Sequence, residues 1–200
     1  MKSIKFGPTA LVALMAVALA SASSAMAEGN TAFCEADESP CSANNFITHS
    51  HAVTQVGKKT TLLTSAITVE CDGLFLGDAR SALASPLILD GAVTYSNCNN
   101  KCTVTEENGP AEVRVLKTGH ESASFTFKLL LHVVCGAFFN CRYKGEGLEG
   151  HIFGPLLSTA VNGEFTVEKQ KVTKDSGTFC PEKGEIDVVA TSLEQVFISD

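Results

Sequence analysis

Apolar and polar residues alternate through much of the chain, and the longest such run is Ser122–Cys135. Its odd positions, Phe125, Phe127, Leu129, Leu131, Val133 and Cys135, make an unbroken apolar row, while its even positions include Ser124, Thr126, Lys128 and His132. Period two is the spacing of a strand with one face in a core. The same rhythm recurs from Leu63 to Cys71, at Leu87, Leu89, Val93 and Tyr95, and at Val113 and Val115 within Glu112–Lys117. Shorter strands are predicted at Leu74–Asp78, Thr103–Glu106, Leu156–Val161, Phe165–Val172, Thr178–Cys180, Ile186–Ala190 and Val196–Ile198, with one more through Phe46–Val56. Asp72-Gly73 reads as a turn, Asp90-Gly91 as a bulge or bend, and Asn108-Gly109-Pro110 as a break. Asn162-Gly163 between two apolar runs is a strong hairpin signal, because both central residues of a type I′ turn need positive φ. No window after residue 27 sustains the i, i+3, i+4, i+7 spacing of a helix. About nine or ten short strands joined by polar turns predict an all-β fold, a single antiparallel β-sandwich or related barrel. That domain is assigned to residues 60–200, with residues 28–59 as a loop-rich N-terminal extension.

The first 27 residues change the picture from a β domain to an exported one. Lys2 and Lys5, an apolar run over Leu11–Ala20, and small residues ending in Ala25-Met26-Ala27 form a secretory signal peptide, with cleavage expected after Ala27. The run is too short to cross a bilayer, which takes about 20 apolar residues, and no Cys stands at the cut to carry a lipid. Losing two Lys and no acid moves the formal charge from −7 to −9. An acidic chain without a basic cluster is a poor partner for nucleic acid or for anionic membrane surfaces.

Eight cysteines, Cys34, Cys41, Cys71, Cys98, Cys102, Cys135, Cys141 and Cys180, follow the leader, and an even number in an exported chain predicts four disulfides. The close spacings Cys34/Cys41, Cys98/Cys102 and Cys135/Cys141 suggest local staples, leaving Cys71 with Cys180; the four-residue step at Cys98 demands a tight bend.

Candidate chemistry is sparse. Gly145-Glu146-Gly147-Leu148-Glu149-Gly150 matches the dinucleotide-binding spelling G-x-G-x-x-G, but Gly154-Pro155 follows where a helix is required, and two Glu would repel phosphate. Glycines that let a strand bend or bulge explain it better. His49-Ser50-His51 on a strand would project two imidazoles from one face about 7 Å apart, enough to chelate a metal if His120, His132, His151 or a carboxylate added a third ligand. No G-x-S-x-G elbow is present, and paired cysteines leave no thiolate nucleophile. Carboxylates such as Asp72, Asp78, Glu146 and Glu149 could pair in glycosidase fashion, yet a solvated acidic surface accounts for them. Without Trp, and with only Tyr95 and Tyr143, the aromatic platforms typical of sugar binding are scarce.

The segments ITVEC, VTYSNC with CTVTEENGPAEV, HVVCG with NCRYKGEGLEG, GPLLSTAVNGEFTVE and SGTFCP resemble a group of uncharacterised secreted bacterial proteins, β-rich and cysteine-containing, over residue 60 to the C-terminus. The resemblance implies export and a β fold, and it brings no activity, ligand or cofactor. The reading is therefore a non-catalytic exported binding or structural module with an extracellular or envelope ligand, no cofactor, no nucleic-acid partner and no membrane span. The alternatives are a secreted metal-binding protein using His49 and His51, or a hydrolase whose site assembles only in the fold. Phe125 through Cys135 reads as a packed central strand, and the polar face around Lys128 and His132, with the loops, as the place to look for binding.

Overall fold

The computed structural model describes residues 30–54, 58–107, 111–154 and 163–199. The expected signal peptide, the strand expected at Leu156–Val161 and Asn162 of the expected hairpin lie outside the described residues. Twelve strands follow in order: β1 (Ala32–Cys34), β2 (His49–Thr54), β3 (Thr60–Thr64), β4 (Thr68–Ala79), β5 (Leu87–Ser96), β6 (Cys102–Glu106), β7 (Ala111–Gly119), β8 (Ser122–Cys135), β9 (Phe139–Phe153), β10 (Glu164–Ser176), β11 (Lys183–Ser192) and β12 (Phe197–Ser199).

Ten of these strands form one antiparallel sheet that closes on itself, since β10 pairs with both β9 and β11, and β4 pairs with β5 on one edge and with β2 and β3 on the other. β2 and β3 lie end to end between β4 and β11: His49 faces Asp78 and Leu63 faces Thr68 along β4, with a step in register between them. β6 and β7 share one place along β8 in the same way, Glu106 opposite Leu131 and Val113 opposite Phe127. The result is an up-and-down barrel of eight staves, two of them broken. β2, inside the segment expected to be a loop-rich extension, supplies part of one stave.

The period-two rows set which face turns inward. Val69, Cys71, Leu87, Leu89, Val115, Leu129, Leu131, Val133, Leu148 and Ile186 are buried, whereas Glu70, Lys128 and Lys144 on the alternate positions are exposed. One end of the barrel is filled by Leu62, Leu131, Val133, Tyr143 and Val172 packed on cysteines. At the other end the β1–β12 ribbon lies across the mouth, placing Phe33, Val196 and Ile198 against Leu87, Val115 and Ile152.

Four disulfides are present and no described cysteine is free. Cys34–Cys41 is the local staple that the spacing suggests, but the other three pairs are Cys71–Cys98, Cys102–Cys135 and Cys141–Cys180, not Cys98/Cys102, Cys135/Cys141 and Cys71/Cys180. The reason is sheet register. Cys102 stands directly opposite Cys135 across β6–β8, and Cys141 stands opposite Val133 rather than Cys135. Cys98 lies two residues past the end of β5, where its Cα is 4.1 Å from that of Cys71 on β4.

Three local expectations also change: the turn at Asp72-Gly73, the bulge or bend at Asp90-Gly91 and the strand at Thr178–Cys180. β4 runs straight through Asp72-Gly73, because β5 pairs with both residues, Asp72 with Ser96 and Gly73 with Tyr95. The chain reverses earlier, at Ser65-Ala66, where Thr64 Oγ1 accepts hydrogen bonds from the N–H groups of Ala66 and Ile67 and donates to Ile67 O. β5 likewise passes Asp90-Gly91 without a register shift. The glycine there makes room for a ring: a Cβ on Gly91 would lie 2.4 Å from the Phe75 ring. Thr178–Cys180 is a turn, with Gly177 at φ +115° and Phe179 at φ +63°.

Candidate functional site

The inward rows do not meet in the middle of the barrel. Between the packed end and the β1–β12 ribbon lies a cavity of about 120 Å³, with walls supplied by β2, β3, β4, β5, β6, β7, β8, β10 and β11. Phe75, Val93, Phe127, Phe165 and Val188 line it and are only half-buried despite facing inward, because one side of each borders empty space. Phe125 and Phe127 pack ring to ring at 5.7 Å, and Phe125 meets Phe165 edge-on at 6.5 Å. Glycines permit this layout. On β9, a Cβ at Gly150 would come within 2.3 Å of the Phe125 ring, so only a bare backbone lets that ring lie flat on the wall. The G-x-G-x-x-G spelling thus belongs to strand geometry: Phe127 faces Leu148 but Leu129 faces Gly145, with a bulge between them and Gly147 at φ +61°.

Three polar side chains enter this apolar lining, Thr60 from β3, Tyr95 from β5 and Glu106 from β6. The last two sit on inward positions of their strands, Glu106 next in the row after Cys102 and Val104. Glu106 Oε2 accepts the backbone N–H of Val93 at 3.1 Å, in the gap where β6 gives way to β7. Its other oxygen, Oε1, is enclosed and has no hydrogen-bond partner. Burial pushes the Glu106 carboxyl above its usual range, opposed in part by the Val93 bond. Burial, and then the nearby Glu106 charge, push the Tyr95 hydroxyl up as well. No Lys, Arg or His lines the cavity. Ala111 and Phe127 border both this cavity and an outer groove flanked by Arg114, Lys128 and Glu146.

The residues singled out from the sequence fall elsewhere. His49 Nδ1 lies 2.8 Å from Asp78 Oδ1 on the outside of the barrel, and both side chains are exposed. His51 is on the same strand, opposite Leu76, and its side chain lies outside the described ones. Lys128 pairs with Glu146 at 3.1 Å. His132 is held by Glu107 at 3.2 Å and Asn140 at 2.8 Å, and Arg142 takes the same Glu107. The polar face of β8 is therefore occupied by ion pairs. Among the described residues one trio of metal-capable side chains converges, Asp37, His120 and Glu121, within 4.8 Å of one another at the surface, with Glu121 Oε2 already accepting the Ile198 N–H.

The aromatic row of β8 reads from sequence as packed core, whereas Phe127 borders open space. The signal for the site was a parity violation: an acid, Glu106, and a phenol, Tyr95, each standing in an otherwise apolar alternating row. Volume has no such signal, because no one-strand pattern reports how far the opposite wall lies.

No protein-family model, curated protein or solved structure matches this chain.

Proposed function

We propose that the protein is an exported, non-catalytic carrier that encloses a small apolar molecule in the centre of its barrel. The observation that carries this is the cavity itself: about 120 Å³ of space with near-continuous aromatic and aliphatic walls. A fully packed interior leaves few voids larger than a water molecule, and an engineered apolar cavity of about 150 Å³ stays dry and takes up benzene. The dimensions suit a single ring or a short branched chain.

The remaining features support an extracytoplasmic setting and a soluble body. Four disulfides suit an oxidising compartment. Among the described residues no helix is long and apolar enough to cross a membrane. The barrel is apolar inside and bears Glu70, Arg80, Arg114, Lys128 and Glu149 outside, the reverse of a barrel that faces lipid. The cavity's polar side chains are a threonine, a phenol and a carboxyl with no imidazole or amine beside them, which suits holding a molecule rather than transforming it.

Thermal unfolding of the mature, disulfide-bonded protein with saturating benzene tests the reading. Ligand bound only to the native state raises the midpoint, and Val188→Phe, which places a ring in the same space, removes that rise. A midpoint that ignores benzene and every other single-ring hydrocarbon overturns the carrier reading.

A further inference from the structure

Building on the carrier reading, we infer that the interior site selects small uncharged molecules whose hydrocarbon body carries one hydrogen-bond acceptor, a carbonyl or ether oxygen, which takes hydrogen bonds from Tyr95 Oη–H and the Glu106 carboxyl. A ligand carboxylate would find no Lys, Arg or His in the wall and would face Glu106 instead. A ligand ammonium would have Glu106 as its single counter-charge, one of whose oxygens is already committed to the Val93 N–H. Moving both ions out of water for one such contact costs more than the attraction returns unless further hydrogen bonds complete it.

What the lining offers is donors. With Oε2 accepting from Val93, the proton of a neutral Glu106 resides on Oε1, the atom without a partner. Tyr95, whose hydroxyl is a donor, lines the same apolar space. Tyr95 is the next inward residue after Val93 on β5, so it stands about 7 Å along the strand from the backbone group that holds Glu106. Both side chains line the one cavity. Burial favours the protonated, donating form of each. A buried donor left unsatisfied is costly, and a ligand oxygen that meets it recovers that cost. The same logic makes such sites discriminate sharply, because an analogue without the oxygen leaves the donors unpaired.

The test is an NMR titration of the mature protein with a matched five-membered series: cyclopentane, cyclopentanone, cyclopentylamine and cyclopentanecarboxylate at neutral pH. Cyclopentanone binds, and the ¹³C shift of its labelled carbonyl moves downfield as it accepts the hydrogen bonds; amine and carboxylate leave the cavity resonances unmoved. Tyr95→Phe and Glu106→Met each weaken cyclopentanone by about fivefold to tenfold while cyclopentane binds as before. Glu106→Gln, which keeps both an acceptor for Val93 and an N–H donor, retains most of the affinity. Unfolding curves on each variant establish that the barrel is intact. If cyclopentane and cyclopentanone both bind but neither variant separates them, or if the amine or carboxylate binds best, the assignment of Tyr95 and Glu106 is wrong and the carrier reading stands. If neither neutral compound binds, both readings fall together.

Discussion

Filling the cavity should stabilise the protein, which is the opposite of what an added ring does to an ordinary core. Val188 on β11 faces the cavity and is only half-buried there. Residual cavities cost about 24 cal/mol per Å³, so a void of about 120 Å³ represents roughly 3 kcal/mol of packing that the native state forgoes. Val188→Phe adds four carbons, and at about 0.8 kcal/mol per buried methylene group it recovers most of that sum before its side-chain entropy is subtracted. The net expectation is a gain of about 1–2 kcal/mol. Urea unfolding at constant pH, with disulfides intact, reads this as a higher midpoint at an unchanged m-value, and in a thermal scan as a rise of a few degrees. Overpacking a filled interior costs about 1–3 kcal/mol. A destabilisation of that size in Val188→Phe, with the m-value unchanged, would show that the barrel has no room and would sink both the cavity and the carrier reading.

Three further outcomes follow from the same structure. Reducing and blocking Cys141–Cys180, or replacing both residues by Ser, should cost about 4 kcal/mol on a chain-entropy estimate for a separation of 39 residues, against about 2 kcal/mol for Cys34–Cys41 with its separation of 7; equal losses in urea unfolding would contradict the ordering. Gly91→Ala places a Cβ 2.4 Å from the Phe75 ring and should destabilise by about 1–3 kcal/mol, with Phe75→Leu in the same chain restoring part of the loss; additivity of the two changes would refute the contact. The pH dependence should have two limbs of opposite sign. Asp72, Asp90 and Glu107 are held below the usual carboxylate range by hydrogen bonds and charge from Lys59, Arg80 and Arg142 respectively, so what they contribute is present above the unfolded pKa and lost as pH falls through the folded one. Glu106 is raised by burial, so its contribution is present below the ordinary value and lost as pH rises through the folded pKa. Glu106→Gln should therefore gain on wild type as pH climbs from the acid range to neutrality, and parallel stability curves would rule that out.

The strands were legible because a sheet with one face in a core imposes period two on each strand separately. Ser122–Cys135 is the clearest case: the segment picked out by its apolar row is the strand itself, residue for residue. Turn chemistry was less reliable, since Asp72-Gly73 and Asp90-Gly91 carry strong local signals that strand pairing overrides, with β5 for the first and with β4 and β7 for the second. The same limit applies to the cysteines. Sequence proximity favours Cys135 with Cys141, whereas the register of β8 and β9 puts Val133 opposite Cys141 and leaves Cys135 facing Cys102 on β6.

Fold class, the inward and outward face of each long strand and an even number of cysteines could all be read along the chain. These are properties of one segment, or of composition, and need no knowledge of neighbours. Tertiary structure alone decided that the sheet closes, that β2 and β3 share one stave as β6 and β7 share another, which cysteines meet, and that a space remains at the centre. Each of those depends on the distance between residues far apart in the chain. Phe127 illustrates the difference: its alternation says only that it points inward, and whether inward means a packed core or the wall of a cavity is settled by strands β4, β5 and β11 on the far side of the barrel.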